Sequence, residues 1–287
     1  MGINYQIIAF DLDGTLLDED MSLSKENKNA IHTLTQMGVV VVPNSGRGWN
    51  EFPKELHEDP NIRYFIYSDG AVIYDRKTGQ KNLVSLSENQ CNFLCQIFAE
   101  YDTMPIVHYN GSTYIDAEKF NDKTMQYYRM RESDIEFFYD TATPTEEFAS
   151  FCLGLKEVEM FCVFFRDDEE LENCRQQLRG RDDFLVVNSI PHTLEVVSIH
   201  AGKGNALLRL AELLDIPAKK TIAVGDSVND IDMVQKAGLG IAMKNACSEL
   251  KAFADAIACE NKHHIAEYLL NNIIRDIKSD EKKAEKA

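Results

Sequence analysis

Residues 5–15 read Tyr5-Gln6-Ile7-Ile8-Ala9-Phe10-Asp11-Leu12-Asp13-Gly14-Thr15. An apolar run of strand length ends abruptly in two carboxylates, a glycine and a hydroxyl. Three further stretches repeat that layout. Val39-Val40-Val41-Val42 passes through Pro43 and Asn44 into Ser45-Gly46-Arg47. Tyr64-Phe65-Ile66-Tyr67 passes into Ser68-Asp69-Gly70, and Thr221-Ile222-Ala223-Val224 into Gly225-Asp226-Ser227. Near-continuous apolar runs are the signature of strands buried on both faces. Between them lie helical patterns. Residues 24–37 carry Ile31 and Leu34 before Gly38, with Ser24 as N-cap and Gly38 as stop. Residues 203–214 carry Leu207, Leu208, Leu210, Leu213 and Leu214. Strand followed by helix, repeated, predicts an α/β fold with a Rossmann-like parallel-sheet core covered on both sides. Ligands of such sheets bind beyond the carboxyl ends of the strands, which is where the polar clusters fall.

The middle of the chain is denser in aromatics and cysteines. Helical patterns at 89–100, 118–130, 144–155 and 169–178 alternate with strand patterns at 106–109, 112–115, 158–165, 184–188 and 193–198. This predicts an α/β cap domain, 85–189, inserted into a discontinuous core of 1–84 and 190–278. Hinges are expected at 83–86 and 189–192. The charged segment 279–287 is expected to be disordered.

Composition removes several function classes. A formal net charge of −17 argues against a nucleic-acid backbone as partner. No apolar stretch approaches the ~20 residues of a membrane-spanning helix. The N-terminus lacks the basic and apolar regions of a signal peptide. The 7 cysteines form no CxxC pair, and reduced thiols in the cytoplasm are expected. Cys91 and Cys95 share a helix face and read as buried apolar residues rather than a metal site.

A bare Asp-x-Asp is commonly a solvated turn. Behind an apolar strand and ahead of Gly-Thr it is more. If the strand continues, Asp11 and Asp13 project to one side. Two close carboxylates repel, so one keeps its proton easily. That arrangement suits a nucleophile beside a general acid/base. Asp226, with Asp230 in support, offers oxygen ligands for a hard divalent cation, for which Mg²⁺ is suited.

Asp11-Leu12-Asp13-Gly14-Thr15 resembles the first motif of the haloacid dehalogenase superfamily. Ser45 in Asn44-Ser45-Gly46-Arg47, Lys203 in Gly202-Lys203-Gly204-Asn205-Ala206-Leu207, and Gly225-Asp226-Ser227-Val228-Asn229-Asp230 resemble the other three motifs, in order. Ala242-Met243-Lys244-Asn245-Ala246 is similar to a signature of the Cof-type (subfamily IIB) branch. The resemblance implies a phosphatase of small phosphorylated metabolites such as sugar phosphates, nucleotides or phosphorylated coenzymes. Asp11 would attack phosphorus and form an aspartyl phosphate, and Asp13 would act as general acid/base. Ser45, Gly46, Lys203 and Asn229 would hold the phosphate, Asn229 doing so directly or by orienting Lys203. The Asp11 carboxylate and Asp13 backbone carbonyl would join Asp226 and Asp230 around Mg²⁺. Arg47 and Asn245 are candidates for substrate contact, and the cap would act as a lid. The alternatives are a sugar phosphomutase of the same superfamily and a phosphometabolite-binding sensor without turnover. Ser45 could instead cap a following helix.

Three places depart from the family pattern. Pro43-Asn44 precedes the second motif. Asp69 stands where Asn is usual, and an inward-facing carboxylate there would disfavour a strongly anionic leaving group. His264, in Asn261-Lys262-His263-His264-Ile265-Ala266, stands where Gly is usual, which bears on the conformation of that loop.

Overall fold

The computed structural model describes residues 5–274. The segment 279–287, expected to be disordered, lies outside them. In chain order the strands are β1 (Ile7–Phe10), β2 (Val40–Pro43), β3 (Tyr64–Tyr67), β4 (Val72–Asp75), β5 (Gln80–Leu83), β6 (Thr103–Tyr109), β7 (Ser112–Asp116), β8 (Ala142–Thr145), β9 (Val158–Phe165), β10 (Phe184–Val187), β11 (Thr193–Ser198), β12 (Thr221–Gly225), β13 (Leu239–Ala242) and β14 (Ala256–Ile257). No helix among the described residues is long and apolar enough to cross a membrane.

The chain divides into two compact units. Of the described residues, the first holds those up to Ser45, Phe52–Asn82 and those from Lys203 onward; the second holds Gly46–Glu51 and Leu83–Gly202. The second unit therefore runs further than the expected 85–189, because β11 pairs antiparallel with both β9 and β10. Residues 189–192, expected as a hinge, join β10 to β11 inside that unit.

In the first unit a five-stranded parallel sheet runs β14-β13-β12-β1-β2. Every residue of β1 and β12 is buried, as the apolar runs require. Ile7, Ala9 and Ala223 pack against Ala206, Leu207 and Leu210 of the helix Lys203–Leu213. The helix Lys25–Gln36 starts where expected, with the Ser24 side chain accepting from the Asn27 amide at 3.1 Å. The run at 64–67 forms a strand but does not extend this sheet. It belongs to a separate three-stranded sheet, β3-β4-β5, touching the parallel sheet through one parallel bridge, Asn44 to Ile66. β5 gave no apolar-run signal, since Gln80–Leu83 is polar and mostly exposed.

The second unit is built on a six-stranded sheet, β10-β11-β9-β6-β7-β8. Its apolar core joins Phe161, Val163 and Phe165 of β9 to Cys91 and Leu94 of the helix Glu88–Phe98. Two helix expectations need correction here. The helix expected at 118–130 is only Asp122–Tyr127, capped by Asn121 and followed by Arg129 at φ 64°. Residues 144–155 are not one helix: Pro144 lies in β8, and the helix is Phe148–Cys152. β8 is an edge strand, where a residue lacking an N–H is tolerated.

His264 adopts φ 54°, ψ 80°, the left-handed region that the usual Gly would occupy without strain. Its Nδ1 is buried without a hydrogen-bond partner. Replacing His264 with Gly removes both penalties at some cost in unfolded-chain entropy. His264→Gly is expected to stabilise the protein by about 1 kcal/mol, read as a raised urea midpoint at unchanged slope.

Candidate active site

The parallel register sets the site. Phe10 lies opposite Val224 on one side and Pro43 on the other. The residues that follow those three therefore emerge at one edge: Asp11, Asn44-Ser45 and Gly225-Asp226. The Asp11 amide donates to the Val224 carbonyl at 2.9 Å, and the Asn44 amide to the Phe10 carbonyl at 2.8 Å. β1 does not continue through Asp13. Leu12–Leu16 instead makes one wide turn, with amides donating five residues back from Leu16 to Asp11 and from Leu17 to Leu12.

Gly14 sits in this turn at φ 76°, and a Cβ there would lie 2.4 Å from Asp226 Oδ2. Only glycine lets the turn approach the carboxylate that closely. Gly14→Ala is expected to displace Asp226, destabilise the protein by about 2 kcal/mol and weaken divalent-cation binding about 10- to 100-fold. Calorimetric titration with Mg²⁺ reads the second effect, and unchanged affinity would contradict it.

The turn's carbonyls are held by asparagine side chains. Asn245 Nδ2 donates to Gly14 at 2.8 Å, Asn27 to Leu16 at 2.9 Å, and Asn261 to Thr15 at 2.9 Å and Leu17 at 2.8 Å. The Asn245 Oδ1 in turn accepts from the Asn261 amide. The Asn245 side chain thus joins the Asp11–Leu17 turn to the Asn261 backbone. Asn27 carries no mark in the sequence, and Asn261 stands there only as part of the stretch around His264, because the turn that Asn261 holds is distant in the chain.

Lys203 opens its helix and is 2 % exposed. Its Nζ lies 2.6 Å from Asp11 Oδ1 and 2.6 Å from Asp230 Oδ1. Asp230 Oδ2 accepts from the amides of Asp226 and Ser227 at 2.9 and 3.1 Å. Asp230 therefore fixes both the lysine and the backbone that carries Asp226. Thr15 Oγ1 donates to Asp226 Oδ1 at 3.3 Å. Carboxylate oxygens of Asp11, Asp226 and Asp230 lie within 4.8 Å of one another.

Burial and the neighbouring Asp230 raise the Asp11 carboxyl well above the usual range, against the opposing pull of Lys203. The same two causes push Asp226 up to about 6. Asp13, part-exposed, adds to both shifts. The lysine is raised by Asp11 and Asp230, which overcome its desolvation. Several hard oxygen donors around a surplus of negative charge fit a divalent cation, and carboxylates suit Mg²⁺.

Ser45 is buried; its amide donates to Ile66 and its carbonyl accepts from the Asp69 amide at 3.1 Å. No helix starts at Ser45, the next turn being Trp49–Glu51, so it caps none. Asn44 explains one departure: its Nδ2 donates to the Lys203 carbonyl at 3.0 Å and so anchors the helix start. Asp69 explains another. It is buried in a run of three left-handed residues, Ser68, Asp69 and Gly70, and accepts from Asn229 Nδ2 at 3.3 Å. Its charge also favours the protonated Lys203. Asn229 therefore bridges Asp69 and Ser227 rather than touching Lys203. Its position at a strand's carboxyl end was the signal that marked Asp69. Gly46 and Arg47 fall in the second unit, where the Arg47 guanidinium donates to the Glu51 carbonyl at 2.8 Å and lies over Phe137.

Residues 8–269 match the family described as haloacid dehalogenase-like hydrolase. The chain is 29 % identical to the phosphatase YwpJ of Bacillus subtilis, over 94 % of this chain and all of that relative. It is 27 % identical to the 5-amino-6-(5-phospho-D-ribitylamino)uracil phosphatase YwtE of the same organism, over 93 % of this chain and 97 % of that one. A solved haloacid dehalogenase-like hydrolase from B. subtilis superposes with a TM-score of 0.79 at 26 % identity, covering 93 % of this chain and 99 % of that structure. With the match spanning nearly the whole chain, three of the motifs at the ends of strands and the Lys203 motif at the start of a helix, the protein belongs to the haloacid dehalogenase-like hydrolases.

Proposed function

We propose that the protein is a Mg²⁺-dependent phosphatase that hydrolyses phosphate monoesters of small metabolites through an aspartyl-phosphate intermediate. The observation that carries this reading is the buried Asp11 carboxylate, fixed at the end of a central strand 2.6 Å from a buried ammonium. Asp11 attacks phosphorus in line with the leaving oxygen. The Lys203 ammonium, the Ser45 hydroxyl and the Gly46 amide stabilise the transferring oxygens. Asp13, less buried than Asp11, donates a proton to the departing alkoxide and later takes one from the attacking water. A divalent cation held by Asp11, Asp226 and the Asp13 carbonyl, with Asp230 in support, would neutralise phosphate charge and orient the ester. Asn229 keeps the Asp226–Asp230 loop tied to Asp69.

These residues recognise the phosphate and its bridging oxygen, so choice among esters rests on others, for which the second unit is the candidate. The relative YwtE, a 5-amino-6-(5-phospho-D-ribitylamino)uracil phosphatase, supports small phosphorylated metabolites as the class. The Asp69 carboxylate beside Asn229 favours leaving groups without strong negative charge of their own.

Phosphate release from a panel of phosphorylated sugars, nucleotides and coenzymes, with Mg²⁺ and with chelator, tests the reading. The expected result is release from a few members that chelator abolishes. Release that ignores chelator would remove the cation. No release, with binding retained, would favour the sensor, and activation by a sugar bisphosphate the mutase.

A further inference from the structure

The phosphate chemistry leaves one buried carboxylate, Glu51, without a part. Glu51 is 5 % exposed and ends the short turn Trp49–Glu51. Its Oε2 accepts from the Gly48 amide at 2.5 Å, and its Oε1 from the Thr113 hydroxyl of β7 at 2.7 Å. His108 Nε2 of β6 lies 3.7 Å from that same Oε1, and both side chains are buried. Backbone groups close the ring. The Glu51 amide donates to the Gly48 carbonyl at 3.0 Å, and the Arg47 guanidinium to the Glu51 carbonyl at 2.8 Å. Asn50 ties the ring to the rest of its unit, with its amide donating to Gly111 at 3.0 Å and its Nδ2 to Thr141 at 2.6 Å. A carboxylate is costly to bury. The apolar core of the unit does not call for this one: Val107 and Tyr114 pack into that core, so their neighbours His108 and Thr113 point to the opposite face of the sheet.

We propose that Glu51 is a positioning residue, which holds residues 47–51 to the second unit and thereby aims the Gly46 amide at the transferring phosphoryl oxygens. This rests on the phosphatase reading, in which that amide is one of the donors. The chain passes from the first unit to the second between Ser45 and Gly46, and returns between Glu51 and Phe52. The Gly46 N–H therefore belongs to the peptide that joins the two units. The carbonyl of that peptide accepts from the Asp69 amide at 3.1 Å. A peptide is planar, so the direction of its N–H is settled once the Gly46 Cα is also placed. Glycine has no side chain with which to anchor itself. Its Cα goes where Arg47 and Gly48 hold it, and Glu51 bonds to both. A donor on a transferring group acts only when aimed, and about 1 Å of misplacement can cost ~10²-fold in rate.

The same bonds say which replacement works. In Glu51→Gln the side-chain oxygen still accepts from Gly48, and the new Nε2 donates to Thr113 Oγ1. Thr113 then gives its own proton to Asn50 Oδ1, 3.2 Å away. Glu51→Ala keeps neither bond. Gly48→Ala disturbs the ring from its other side, since a Cβ there would lie 2.9 Å from Thr113 Oγ1 and 3.2 Å from Asn50 Oδ1.

The full chain and these three variants are assayed with Mg²⁺ on the best ester of the panel. The readings are kcat, KM, inhibition by orthovanadate and the thermal midpoint. Orthovanadate mimics five-coordinate phosphorus, so its affinity reports the aim of the donors. Glu51→Ala is expected to lower kcat/KM about 30-fold and to weaken orthovanadate inhibition by about the same factor. Gly48→Ala is expected to lose about fivefold in both, and Glu51→Gln to stay within about threefold of the unaltered chain. Mg²⁺ affinity is expected to be unchanged throughout, because Asp11, Asp226 and Asp230 stand in the first unit. A merely structural role would lower kcat with the folded fraction and leave KM and orthovanadate inhibition alone. That result, or full activity in Glu51→Ala, would overturn the proposal, as would equal losses in Glu51→Ala and Glu51→Gln. If Glu51→Ala does not fold, Gly48→Ala decides, and unchanged orthovanadate inhibition there overturns the proposal. No phosphate release by the unaltered chain would instead defeat the phosphatase reading. Calorimetric binding of orthovanadate then tests Glu51 by itself: equal affinity in the unaltered chain and Glu51→Ala, or none in either, overturns its role.

Discussion

Asp11→Asn is expected to lower kcat by about 10⁴-fold or more while the protein still folds. The amide has nearly the shape of the carboxylate but no electron pair able to attack phosphorus at a useful rate. Folding survives because Lys203 keeps its second partner, Asp230, at 2.6 Å. The substitution also removes one carboxylate from a crowded set in which burial and then mutual repulsion raise Asp11 and Asp226 above the usual carboxyl range. Stability should therefore be unchanged or slightly raised. Phosphate release at saturating substrate, with the thermal midpoint read on the same sample, decides the matter. Activity within tenfold of the wild type would remove Asp11 as nucleophile.

Lys203→Met carries the second large effect, and it acts on two quantities at once. The ammonium is the cation bonded to both Asp11 and Asp230. Breaking a buried pair by deleting one partner leaves uncompensated charge, and about 3 kcal/mol of stability should be lost at pH 8. Losing one positioned donor on the transferring oxygens should cost about 10²–10³ in kcat/KM. The loss of stability should depend on pH. A carboxyl whose folded value is raised above its unfolded value holds its proton more tightly when folded, so its ionisation destabilises the fold as pH rises. Asp11 is already raised with the lysine present, and without it rises further. At pH 5 a proton on Asp11 should replace part of the missing positive charge, so the destabilisation should be smaller than at pH 8. Urea unfolding at the two pH values, in chelator, measures it. Equal destabilisation at both would show that the lysine acts through packing alone.

The legible part of this site was what local sequence controls. A change from an apolar run to Asp-x-Asp-Gly-Thr, Asn-Ser-Gly-Arg or Gly-Asp-Ser marks a strand end whatever the rest of the chain does. Parallel pairing then brings such ends to one edge, and Asp11, Ser45 and Asp226 needed no further information. Lys203 needed slightly more, since a lone lysine reads as solvated until its place among the other motifs is weighed. Asn245 was singled out as a candidate for substrate contact, but its bond to the Gly14 carbonyl was not legible, because that partner lies far away in the chain. The bonds of Asn261 to Thr15 and Leu17 were illegible on the same ground. Arg47 sits two residues past Ser45 and yet belongs to the other unit, because its guanidinium finds the Glu51 carbonyl and the Phe137 ring.

The sequence by itself determined the α/β class, the order of the strand ends that carry the chemistry, and the presence of an inserted α/β segment. These follow from hydrophobic period and from abrupt polarity changes, both short-range properties. Only the tertiary structure decided that β3 leaves the parallel sheet, that Pro144 lies on an edge strand, and that the inserted unit extends through β11. It alone turned Asp69 inward onto Asn229 and set Asn44 beneath the Lys203 carbonyl. Each of these depends on which partner, far along the chain, satisfies a backbone or side-chain polar group that burial has cut off from water, and such pairings leave no periodic trace in the sequence.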